Sequence, residues 1–113
     1  MGFANTPVDV IQNDDVGATA QLVRTGQMIV RTIQGRNSTA ALAFIQMFNA
    51  AAAADVTVGT TVPRWVIPVL ASSVNEHSGI PDAGMQFPLG LVVACTTTPG
   101  GNTGATMDVA TGV

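Results

Sequence analysis

The chain has 113 residues, of which only 10% are charged, and its formal net charge is −3. That length allows one core and little else. The only cations are Arg24, Arg31, Arg36 and Arg64, too few and too scattered for a nucleic-acid surface, and the single cysteine, Cys95, excludes an internal disulfide and a cysteine-based zinc site. A charge content far below the usual ~25% leaves two readings: a surface largely covered by other chains, or a neutral surface of Thr, Ser and Asn.

The first residues, Met1-Gly2-Phe3-Ala4-Asn5, have neither a charged region nor an apolar run, so no signal peptide is predicted. No run of about 18 apolar residues exists to cross a membrane. Residues 1–18 read as an extended N-terminal arm. They carry Pro7, Asn13, Gly17 and Asp14-Asp15, with only Val8, Val10 and Ile11 to anchor them. Residues 19–113 read as a single β domain.

Within that domain, Gln27-Met28-Ile29-Val30-Arg31-Thr32-Ile33-Gln34 is rich in β-formers. Its alternation puts Ile29 and Ile33 on one face and Met28, Val30 and Thr32 on the other. Gly35-Arg36-Asn37-Ser38 reads as a turn. In 41–48, Leu42, Phe44, Gln46 and Phe48 alternate with Ala41, Ala43, Ile45 and Met47, which suits a strand in a packed sheet. The alanine run of 50–54 is either one helical turn or a loop, too short for a stable helix alone. Arg64-Trp65-Val66-Ile67-Pro68-Val69-Leu70 is the next strand, and Pro68, with no N–H to donate, places it at an edge or a bulge. Residues 71–84 read as a polar loop and Met85-Gln86-Phe87 as a short strand. Leu91-Val92-Val93-Ala94-Cys95-Thr96-Thr97-Thr98 is the clearest strand, Pro99-Gly100-Gly101-Asn102 a turn, and 105–109 the closing strand. Six to seven short strands at this spacing predict an all-β fold, a β-sandwich or jelly-roll-like domain. Several strands are apolar on both faces, where a two-layer sandwich should have one wet face, and this points to subunit contacts.

Residues 18–110 resemble a family of small tailed-phage virion structural proteins. The resemblance runs through Gly35-Arg36-Asn37-Ser38 followed by Ala40-Ala41, then Phe44-Ile45-Gln46-Met47-Phe48-Asn49-Ala50. It continues through Val58-Gly59-Thr60-Thr61-Val62-Pro63, Ile67-Pro68-Val69, Met85-Gln86-Phe87-Pro88, Gly90-Leu91-Val92-Val93-Ala94 and Thr96-Thr97-Thr98. It implies a β-sandwich that decorates or cements a capsid surface, or sits in a tail or fibre. The expected partners are then a major capsid protein and copies of the chain itself, in a homo-oligomer on the virion. Such a protein is made in the host cytoplasm and binds neither nucleic acid nor membrane. The chain departs from the family pattern at 71–82, which is longer and carries charge.

Chemistry-bearing residues are few. His77 stands beside Glu76 and near Asp82, but one histidine and two carboxylates on a Gly/Pro loop do not make a general base with an oriented substrate or a metal site. Asp14-Asp15 lacks the alternating oxygen ligands of a calcium loop. Cys95, mid-strand between Ala94 and Thr96, reads as a buried small side chain. Arg64-Trp65 offers one aromatic face for a sugar, whereas a core or interface role suits a lone Trp better. The expectation is therefore a non-enzymatic structural protein without cofactor or metal, with Val8, Val10, Ile11 and Trp65 as interface residues. The alternative is a tail- or fibre-associated module recognising a host surface glycan.

Overall fold

Alternating apolar residues along short β-prone runs give strands whose inner rows meet across a shared core. A computed structural model describes residues 9–76 and 84–113. The described residues form ten strands: β1 Val10–Val16, β2 Gln21–Thr25, β3 Met28–Val30, β4 Thr32–Asn37, β5 Ala43–Asn49, β6 Trp65–Val69, β7 Ser73–Glu76, β8 Met85–Phe87, β9 Gly90–Thr96 and β10 Met107–Gly112. One short 3₁₀ turn, Ala53–Asp55, falls in the alanine run. Two four-stranded antiparallel sheets, ordered β1-β10-β4-β7 and β2-β9-β5-β6, face each other, and β3 pairs β8 in a two-stranded ribbon.

The main core lies between the sheets. Val16, Ile33, Met107 and Val109 from the first sheet meet Ala43, Ile45, Met47, Ile67, Val69, Leu91, Val93 and Cys95 from the second, with Met28, Val30 and Phe87 of the ribbon joining them. Gly35 lies in β4 at a buried position facing the core. A Cβ there would stand 2.6 Å from Ile45 Cδ1 and 3.1 Å from both Met107 Sδ and Val69 Cγ2. The expected turn at 35–38 is therefore a strand as far as Asn37. Glycine is there for packing rather than for chain reversal.

The single strand expected over 27–34 is interrupted at Arg31. Met28 and Val30 are buried before the break and Ile33 after it. A one-residue shift carries both predicted faces into the core in turn. This break, with β7 in the expected loop at 71–84 and with β1 and β2 before Met28, raises the strand number above the expected six to seven.

Residues 10–16 are not a free arm. β1 pairs with β10 from Val10↔Gly112 to Val16↔Met107, with a bulge between Asn13 and Val16 where Asp15 takes φ 53°. Asp108 Oδ1 accepts the displaced Asp15 N–H at 3.0 Å. Side-chain burial alone could not order this segment, but the β10 backbone supplies ladder partners and Val16 is fully buried. The domain boundary expected at residue 18 falls between β1 and β2, so it leaves β1, a strand paired with β10, on the arm's side.

The spare apolar faces also find a cover within the chain. Phe48, Ala50, Val92 and Ala94 form a second buried cluster on the outer side of β5 and β9, capped by Ala20, Ala53, Val56 and Val58. Farther along the same side, fully buried Gln46 donates from Nε2 to Thr96 Oγ1 (2.7 Å) and Gly101 O (3.0 Å). That pins the 97–104 turn over the sheet. β9 is consequently buried along its whole length. Here the chain folds back on itself to cover the second apolar face.

Candidate functional site

At one end of β5 and β6 the outward row is left uncovered. Phe44 stands opposite Pro68 and Ala43 opposite Val69, which sets Leu42 opposite Leu70 at the strand ends. Leu42 and Leu70 are 43% and 69% exposed, Pro68 is exposed, and Phe44 and Val66 are partly so. The strip is apolar, and β6 lies at the sheet edge, as Pro68 predicted. A proline on that edge strand removes one ladder donor, so a partner is favoured to lie on the face rather than extend the sheet.

Asn37 holds this end in place. Its buried Nδ2 donates to Ala41 O (2.8 Å) and Val69 O (3.1 Å), while Oδ1 accepts from Thr39 N–H (3.0 Å) and Thr39 Oγ1 (2.6 Å). Ser72 N–H donates to Thr39 O at 3.0 Å and Ser73 Oγ to Leu70 O at 2.7 Å. Both leucines therefore project from a tied end.

The expected interface residues are dispersed. Val8 lies outside the described residues. Val10 is 67% exposed on edge strand β1, and Ile11, opposite Thr111, is partly buried. Trp65 opens β6 on the same row as Ile67 and Val69 and is 38% exposed, half core and half surface. Its neighbour Arg64 lies 5.7 Å from the centroid of the Phe87 ring. Leu42 and Leu70 were missed, although their phase with Phe44 and Pro68 was a signal that could have found them.

Of the chemical candidates, His77 and Asp82 lie outside the described residues, and Glu76 is in β7. Cys95 is fully buried, and burial pushes its thiol up to about 12. Asp14 Oδ1 accepts Gln12 Nε2 at 3.0 Å beside the β1 bulge. Among the described residues no three His, Cys, Asp or Glu side chains gather as a metal set.

Two further surfaces carry polar groups. On the outer face of the first sheet, Gln12, Gln34, Arg36 and Asp108 surround Ala110 in a hollow of about 240 Å³. A second hollow, about 470 Å³, is lined by Asp9, Arg24, Gln27, Met28, Ile29, Arg31 and Val113.

The geometry defines the chain as a small antiparallel β-sandwich. Comparison with protein-family models, with curated proteins and with solved structures finds no match.

Proposed function

We propose that the chain is a structural component of a phage particle, a capsid decoration protein that binds the outer surface of the shell and stabilises it through subunit contacts. One observation carries the attachment: the apolar strip of Leu42, Phe44, Val66, Pro68 and Leu70, exposed or partly exposed on a sheet whose outer side chains Phe48, Val92 and Ala94 the chain covers itself. The virion setting rests on the resemblance in residues 18–110 and on the low charge. Covering each exposed leucine contributes about 1–2 kcal/mol, and repetition across many copies converts such modest contacts into firm attachment.

The experiment is to add purified protein to particles lacking it and measure occupancy by cryo-electron microscopy and quantitative mass spectrometry. Copies in the hundreds, lost with Leu70→Lys while the melting temperature holds, fit decoration. A few tens of copies or fewer, or full occupancy with Leu70→Lys, overturns it. The alternative, a tail- or fibre-associated module binding a host surface glycan, is favoured by the hollow around Ala110, whose amide, guanidinium and carboxylate groups suit sugar hydroxyls. Glycan-array binding abolished by Arg36→Ala would select it.

A further inference from the structure

A buried polar atom needs a partner, so one left over in a folded chain points to something the fold holds. Among the described residues three buried side-chain atoms have no hydrogen-bond partner: Asn13 Oδ1, Gln46 Oε1 and Thr111 Oγ1. Gln46 belongs to the second sheet, under the 97–104 turn. The other two belong to adjoining strands of the first sheet, β1 and β10.

The register brings those two together. Ile11 stands opposite Thr111 and Asn13 opposite Val109, so all four share the inner face on which Val109 joins the core. Asn13 and Thr111 are thus diagonal neighbours across the ladder. The Cβ atoms of such neighbours lie roughly 6–8 Å apart, a span that one water can bridge between the two side-chain oxygens. Thr111 is fully buried, with Ile11 opposite it on one side and Ile33 on the other. It also interrupts the apolar row of Met107 and Val109, where valine would fill nearly the same space without a hydroxyl to satisfy.

Turning the Asn13 amide over does not remove the orphan. Its Nδ2 donates to Gln21 Oε1 at 3.3 Å and to Leu22 O at 3.4 Å, both of them acceptors. Gln21 is fixed in turn by its own Nε2, which donates to Asp14 O at 3.1 Å and Asp15 O at 3.4 Å. Exchanging nitrogen and oxygen in either amide would set oxygen against oxygen.

We propose that the inner face of the β1–β10 pair holds a long-lived internal water molecule, which donates to Asn13 Oδ1 and accepts from Thr111 Oγ1. A cation is the poorer occupant, because two neutral oxygens fall far short of the about six to eight ligands that calcium takes. The water completes a polar seam between β1 and β2, running from the Asp14 and Asp15 carbonyls through Gln21 and Asn13 to Thr111. This inference does not depend on the shell-binding reading, which uses the outer face of the other sheet.

The test joins a high-resolution crystal structure of the full chain to oxygen-17 magnetic relaxation dispersion, which counts long-held internal waters in solution. A density peak within hydrogen-bond distance of both Asn13 Oδ1 and Thr111 Oγ1 is expected. Thr111→Val should lower the dispersion amplitude by one water, whereas Thr111→Ser, which keeps the hydroxyl, should retain it. Thr111→Val should also melt roughly 5 °C below the parent, because Asn13 Oδ1 is then left buried and unpaired. No peak at that position, or a direct bond between Thr111 and Asn13, overturns the proposal. So does a dispersion amplitude unchanged in Thr111→Val or lost in Thr111→Ser. A Thr111→Val protein at least as stable as the parent overturns it too, since that is the behaviour of a hydroxyl buried dry.

Discussion

Replacing Gly35 with alanine adds one methyl group at a buried position of β4 that faces the core. The new Cβ would stand 2.6 Å from Ile45 Cδ1 and 3.1 Å from Met107 Sδ and Val69 Cγ2. Carbon contacts are favourable near 3.5–4.0 Å, so one neighbour must retreat by about 1 Å and two by about half that. The Ile45 methyl and the Met107 thioether have rotamers to try, but both are buried beside Val69, and a close-packed interior has no void to receive them. Overpacking of this kind costs about 1–3 kcal/mol, and the lower chain entropy of unfolded alanine offsets about 0.4–1 kcal/mol. The net loss of about 1–2 kcal/mol lowers the melting temperature by roughly 5–15 °C in a domain of this size. Gly100→Ala is the control, since nothing stands within 4 Å of a Cβ there. Ile45→Val removes the closest atom, so the Gly35→Ala/Ile45→Val protein should be more stable than the two separate losses predict. Thermal denaturation followed by circular dichroism decides it. A Gly35→Ala protein as stable as the parent, or strictly additive losses in the double variant, would refute the packing account.

Four further outcomes are expected. Asn37→Ala leaves the Val69 and Ala41 carbonyls without their side-chain donor and frees the 38–42 turn, costing about 1–3 kcal/mol; amide exchange should accelerate at Thr39 and Ser72 before the rest of the sheet. The Cys95 thiol should resist a thiol reagent in the folded protein and react at once in denaturant. Its folded value, about 12, lies above the unfolded 9.0. Its contribution to stability is therefore intact below pH 9 and falls as pH rises from 9 toward 12, by up to about 1.4 kcal/mol per unit. Chemical denaturation of the parent against Cys95→Ala at pH 8 and 10 checks this, and identical pH slopes would contradict it. Deleting 10–16 should unfold the domain, because it strips β10 of a strand partner and removes buried Val16; a truncated protein with an unchanged melting temperature would restore the idea of an attached arm.

Local chemistry was enough to specify the all-β class, the strands around Phe44, Ile67 and Val93, the edge position of Pro68 and the burial of Cys95. Each follows from alternation, from a missing N–H or from side-chain size, which the chain carries within a few residues. Pairing across the molecule decided the rest. Val10–Val16 looks like a tail until β10 supplies its ladder partners, and Gly35 looks like a turn until Ile45 and Val69 close over it. The surface was legible only in part for the same reason. Apolar residues on the outer sides of β5 and β9 look alike in sequence, yet the 50–58 loop and the 97–104 turn cover Phe48, Gln46, Val92 and Ala94. Phe44, Leu42 and Leu70 are left at the surface, because which apolar side chain stays exposed depends on where a distant loop comes to rest.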